Sequence, residues 1–418
     1  MNEGFEKGKY FIPVLAIIVI FLVMSLAVSP ILRANPKDVP FAVLTLDAGA
    51  QGPTGEMNMG AEMVSRMTAG QSGAESPIQW SVLSSRGELD AALDANEYYG
   101  ALVFSADFTA KQFAAAAGLG DAPEVEVIIN HGKNVMLSTQ MQAAITTMLQ
   151  TLGLKTKVTL IHSADIGGGG MSALMGSQML IMPLIMMIIA GSLLLFFFFR
   201  PKKGADISRK LKSFVSQLLY AAGLSLLIGF AAVIVVTWAG GLTLPVGGLV
   251  LFLWLASFCV MTILLGAFNI IAPLGALVAV TFFSCGLSSA MLAPEMMPDW
   301  YRNWIYPWVP QGFISEGIRT IIYMGEGAKN NAIGPLLIMG AIGLALFAIA
   351  LLVPNRGSKV AEPAEAAETA TPLKNEEVAE PTETKEIAEP TETTEPTVTK
   401  ESTETESLES QEPAETES

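Results

Sequence analysis

Six stretches of this chain each run for roughly 20 apolar residues without a charge, and a chain of that kind has little freedom in what it can fold into. They are Phe11–Leu32, Met171–Phe199, Phe214–Trp238, about Leu249–Ile271, about Leu274–Ala293 and Ala332–Val353. None contains Asp, Glu, Lys, Arg or His. Backbone groups left unpaired in hydrocarbon carry a penalty of several kcal/mol, so each stretch is expected to be a helix. The fold class that follows is a polytopic α-helical membrane protein with six transmembrane helices.

The first stretch follows Lys7 and Lys9, as a secretory signal would. Its apolar run is too long for one, and Pro30 after Ala27-Val28-Ser29 should block cleavage, so it reads as an uncleaved anchor. Between stretches one and two lie residues 33–170, enough for a domain with its own core. Strand-like runs at Phe41–Leu46, Ile78–Leu83, Gly100–Phe104 and Val125–Ile129 alternate with helix-like runs at Asn58–Met67, Glu88–Asn96 and Phe108–Ala117. That alternation predicts an inserted α/β domain, with Ser105 as a candidate cap for the last helix. A longer helical pattern, Val135–Leu154, leads on towards the second membrane helix, and Gly167–Gly170 interrupts the path as a hinge or a plain linker.

Orientation follows from Lys and Arg. Arg200, Lys202, Lys203, Arg209, Lys210 and Lys212 sit between the second and third stretches, six positive charges in thirteen residues. By the positive-inside bias this loop is cytoplasmic. Both chain ends are then cytoplasmic and residues 33–170 extracytoplasmic. The membrane domain spans 171–356 and includes an outer segment at 293–331. Overall net charge is −15, but from Gly357 to Ser418 there are 18 glutamates and four lysines, so the tail carries nearly all of it. Its Glu-Thr-Pro repeats cannot offset the entropy of ordering and are expected to be disordered. The remainder is close to neutral and offers no basic surface for nucleic acid. With two Cys and two His in the chain, a disulfide framework or a zinc site is excluded as a reading.

No phosphate-gripping loop and no nucleophile elbow appears, so no enzyme chemistry and no cofactor is expected in this chain. Charge-free spans count against a proton-coupled transporter, which places ionisable groups at membrane depth. Helix three carries Ala221, Ser225 and Gly229 at four-residue spacing, which suits close helix packing. Helix two carries Met175, Met179, Met182 and Met186 on one face, a candidate path for apolar substrate or an ordinary packing stripe. In the cytoplasmic loop, Ile207, Leu211 and Phe214 form an apolar face with Arg209, Lys210 and Lys212 off it. That makes Ile207, Arg209, Lys210 and Leu211 candidate contacts for a partner ATPase. After helix five, Ala293–Pro310 gathers Trp300, Trp304 and Trp308 with Glu295, and Phe313–Tyr323 follows with Glu316 and Arg319. Amphipathic aromatics concentrate at the membrane surface, so this reads as an interfacial segment built on Glu295, Trp300, Trp304 and Arg319.

Three of these stretches resemble a known family. Val39–Ala50, with Asp47 and Gly49, followed by Asn58–Glu62, is similar to the first strand and turn of the YhgE/Pip (phage infection protein) branch of the ABC type-2 permease superfamily. Tyr98–Phe108 looks like its "YYAxIVIPxDFS" element, and Ala293–Pro298 with Pro307, Pro310 and Arg319 resembles its "P-x-E-x-x-P … P-x-x-P … R" signature. The stretch before helix one is too short for the long interface helix that many such permeases carry. The resemblance implies a subunit of an exporter for hydrophobic or lipidic cargo, paired as a homodimer or heterodimer of permeases in lipid and driven by a separate ATPase. The competing reading is a non-transporting surface protein that acts through its outer domain as a phage receptor or secretion component.

Overall fold

The computed structural model describes residues 3–52, 55–69, 76–164, 171–201 and 205–353, with side chains omitted for 3–16 and 171–179. The glycine run 167–170 and the acidic tail therefore lie outside the described residues. The chain opens with helix α1 (Glu3–Leu32), then strand β1 (Val39–Thr45), a small hairpin of β2 (Ala50–Gly52) and β3 (Gly55–Met57), and α2 (Met59–Ala69). Next come β4 (Ile78–Val82), α3 (Arg86–Asp94), β5 (Gly100–Phe104), α4 (Phe108–Ala116), β6 (Glu124–Asn130), α5 (Val135–Thr151) and β7 (Lys155–Ile161). The rest is helical: α6 (Met171–Phe198), α7 (Ile207–Gly240), α8 (Val246–Ile270), α9 (Ala272–Met291), α10 (Asp299–Trp304), α11 (Pro310–Tyr323) and α12 (Ile333–Leu352).

Five strands form one sheet in the order β4-β1-β5-β6-β7. β1 is parallel to both β4 and β5, β6 runs antiparallel to β5, and β7 returns parallel to β6. The residues between α1 and α6 thus combine this sheet and the β2-β3 hairpin with four helices, and the main sheet has one strand more than the four of the sequence reading. That reading carries helix through to Leu154; the helix ends at Thr151, and Gly153, at φ +74°, turns the chain into β7. A left-handed turn is readily available to glycine, and the alternating Thr156, Val158 and Leu160 then suit a strand. The capping role expected for Ser105 is also corrected. Its hydroxyl donates to Asp107, while the amide of Thr109 at the start of α4 donates to the distant Asp47.

One face of the sheet is covered by α3 through Leu89 and Leu93. The other face packs on α2 and α5, and also on Leu292, Met296, Met297, Tyr301 and Val309 from the segment after α9. The expectation of a self-contained outer core is therefore corrected: part of one face of the sheet is buried by residues that sequence reading assigns to the membrane domain.

In the helical part, α8 packs against α6, α7, α9 and α12, and α1 lies along α9, where Ser288 donates to the Ala27 carbonyl. The expected small-residue stripe on α7 does pack closely: a β-carbon on Gly229 would stand 3.1 Å from the Trp254 nitrogen of α8. Among the described residues five helices are long and apolar enough to cross a bilayer: Leu180–Phe198, α7, α8, α9 and α12. The described side chains of α1, Ile17–Leu32, make a shorter apolar helix.

Candidate functional site

Three regions could carry function: the crevice of the α/β unit, its junction with the helices, and the start of α7. The crevice lies at the carboxyl ends of β1 and β5. There the chain leaves β1 and β5 towards opposite edges of the sheet, a place where open α/β sheets commonly hold ligands. Here a side chain occupies it. Asp47 follows β1 and is 8% exposed; its carboxylate accepts from the amides of Gly49 (3.2 Å), Gly60 (3.0 Å) and Thr109 (3.1 Å), and from the Thr109 hydroxyl (2.5 Å). Gly60 and Thr109 are the second residues of α2 and α4, so one carboxylate caps two helix N-termini whose dipoles favour negative charge. Gly60 is needed for the approach, because a β-carbon there would meet the Asp47 side chain at 2.8 Å. Burial pushes the Asp47 carboxyl up, yet the hydrogen bonds from Thr109, Gly60 and Gly49 prevail and hold it below its ordinary value. An internal anion fills the position an anionic ligand would take.

At the junction, the Tyr99 hydroxyl donates to Glu295 at 2.6 Å. Tyr99 is fully buried. Burial, and then the nearby Glu295 charge, push its phenol well above the ordinary value, so it stays a donor. The backbone of Glu295 also accepts from the Lys37 amide at 3.0 Å, and the Lys37 side chain lies 3.5 Å from Asp299. Lys133 sits 5.2 Å over the Tyr99 ring and donates to the carbonyls of Asn96 and Glu97; burial lowers its ammonium pKa. Arg319, 9% exposed, donates to Ser315 on its own helix at 2.5 Å. Of the interfacial residues predicted from sequence, Trp300 and Trp304 are exposed. Glu295 and Arg319 turn inward instead. The structure brings Glu295 onto Tyr99, a partnership 196 positions apart that sequence reading misses.

At the start of α7 the predicted apolar face is rearranged. Residues 207–213, expected as loop, are already helical. Ile207 is 68% exposed and Leu211 48%, with Arg209 exposed between them. Phe214 and Lys210 point the other way, into the bundle; Lys210 is 6% exposed and its Nζ donates to the Val353 carbonyl at 2.9 Å. The prediction of Lys210 as a surface contact is corrected. Its four-carbon stem packs while its ammonium meets the carbonyl end of α12, where positive charge is favoured.

Of the methionine stripe, Met182 is half-buried and Met186 is exposed; the side chains of Met175 and Met179 lie outside the described residues. Met186 borders an apolar groove of about 520 Å³ that Ile20 and Met24 of α1 and Val280 and Phe283 of α9 also line. Among the described residues no group of His, Cys, Asp and Glu could hold a metal ion.

No curated protein and no solved structure matches the chain. The family model described as ABC-2 family transporter protein matches residues 10–352, from within α1 to the end of α12. The chain belongs to the ABC-2 transporter family, whose members are multi-pass membrane components of transporters that work with a separate ATPase subunit.

Proposed function

We propose that this chain is the permease subunit of an exporter for hydrophobic or lipidic cargo, of the YhgE/Pip type, driven by an ATPase that docks on the start of α7. The observation that carries this reading is the exposed pair Ile207 and Leu211, one turn apart on a helix end and flanked by Arg209 and Lys212. Large apolar side chains rimmed by charge are what a docking partner buries. In this reading α1 is a sixth span, both chain ends are cytoplasmic and the α/β unit is extracytoplasmic, as the cluster of Lys and Arg before α7 favours. Two such permeases pair in the membrane. The groove beside Met186 belongs to the cargo path. It is nearly all apolar, and adaptable thioether side chains suit varied hydrocarbon chains. A surface receptor without transport is disfavoured by family membership, which makes the chain a transport component.

Replacing Ile207 and Leu211 together with Asp, with every Lys and Arg retained, tests the reading. Membrane topology should persist, while the amount of ATPase that co-purifies with the chain and its cargo-stimulated hydrolysis should both fall. Unchanged co-purification would refute the docking site.

A further inference from the structure

The inward face of the same helix end carries three polar side chains, each bound to the end of a different helix. Lys210 donates to the Val353 carbonyl, just past α12, at 2.9 Å. Ser213 donates to the Phe199 carbonyl, just past α6, and Gln217 reaches the same oxygen at 3.2 Å. Gln217 also accepts from the Asn269 amide, in the last turn of α8, at 2.6 Å, and Asn269 in turn donates to Leu265 of α8. Spacings of three and four place 210, 213 and 217 on one stripe of α7. The carbonyls beyond the last residues of a helix have no partners within it, and here α7 supplies them for α6 and α12. Lys210 and Gln217 are buried, so water does not readily compete for these bonds.

From this we infer that the first three turns of α7 act as a polar clamp that moves the ends of α6, α8 and α12 as one body, with Lys210 and Gln217 as its positioning residues. The inference rests on the proposed docking at Ile207 and Leu211, which lie on the opposite face of the same turns. A load applied to the outer face then passes to three helices through four side chains: Lys210, Ser213, Gln217 and Asn269. Without the clamp a partner would still bind, but its motion would be spent on α7 alone.

The test uses the full chain in lipid nanodiscs together with the ATPase that co-purifies with it. Nitroxide labels at exposed Ser208 and Leu352, in a Cys259→Ala, Cys285→Ala background, report the distance between the start of α7 and the end of α12. Lys210→Met should leave the co-purified ATPase unchanged, broaden that distance distribution and lower cargo-stimulated hydrolysis about tenfold, the size of effect expected for losing one charge-assisted hydrogen bond. Lys210→Arg should restore both, which separates clamping from a general loss of fold. The double substitution Gln217→Leu, Asn269→Leu removes both partners of the second tie and should also reduce stimulation with binding intact. Stimulation within about twofold of the starting protein, or a distribution that stays narrow in Lys210→Met, overturns the clamp while leaving the docking site standing. Loss of ATPase binding in Lys210→Met overturns it too, by making Lys210 a docking residue. Binding that survives Asp at 207 and 211 is the separate outcome that defeats the functional reading itself.

Discussion

Replacing Asp47 with Ala should loosen the starts of α2 and α4 together, although they begin 49 residues apart. The carboxylate accepts four hydrogen bonds from three residues and is almost fully buried. Losing a helix cap is worth about 1 kcal/mol, and two helices lose theirs. The donors left behind stay buried, and one unsatisfied group adds about 1 kcal/mol more at the low end of its range. The sum is about 3 kcal/mol, or about a hundredfold in the equilibrium for local opening. Hydrogen exchange read by mass spectrometry on the detergent-solubilised chain measures this directly: protection in peptides covering Gly60 and Thr109 should fall about a hundredfold, with those covering α8 unchanged. Asp47→Asn should do little better, because its amide turns a donor towards donors. The pH dependence has a defined sign. With its carboxyl held below the ordinary value near 3.8, Asp47 stabilises fully above that value, and the contribution is lost as pH falls through the lower, folded value. Protection, corrected for intrinsic exchange, should therefore be flat from pH 7 to about 5. A fall of less than about threefold in Asp47→Ala, confined to one helix or absent, would refute the shared cap.

Tyr99→Phe removes the hydrogen bond that ties the start of β5 to the Glu295 carboxylate and should lower the melting temperature of the detergent-solubilised chain, with Glu295→Gln milder because it still accepts from Tyr99. Gly100→Ala should be poorly tolerated, since its β-carbon would stand 2.3 Å from the Ile128 carbonyl and 2.5 Å from the Phe41 ring; folded yield in membranes is the readout, and normal yield would contradict the packing. A photoreactive residue in place of Met186 should crosslink to lipid, whereas the same residue in place of buried Ile188 should not; equal labelling would remove the groove from consideration.

What could be read from sequence depended on how local its cause was. Membrane helices declare themselves in runs of apolar side chains, and β1, β4, β5 and β6 fell within two residues of their expected positions because each carries a compact β-branched or aromatic run. β7 was hidden because two lysines break its apolar run and the preceding helical pattern overruns Gly153. Asp47 stood out within a motif, but its role needed partners 13 and 62 positions away that no spacing rule connects. Lys210 was misassigned because a charge beside an exposed apolar residue reads as surface; only the arrival of α12 gives its ammonium a buried partner.

The apolar floor that the segment after α9 lays beneath the sheet has a consequence for anyone cutting or grafting this protein. Residues 33–164 expressed alone would carry a water-facing scar where Met296, Met297, Tyr301 and Val309 had been, and Tyr99 would open onto solvent with its acceptor gone. Such a fragment is a poor antigen or crystallisation target unless residues 285–309 travel with it. A chimera that exchanges the α/β unit between relatives has to exchange that segment too, because the seam between the two parts does not follow the chain.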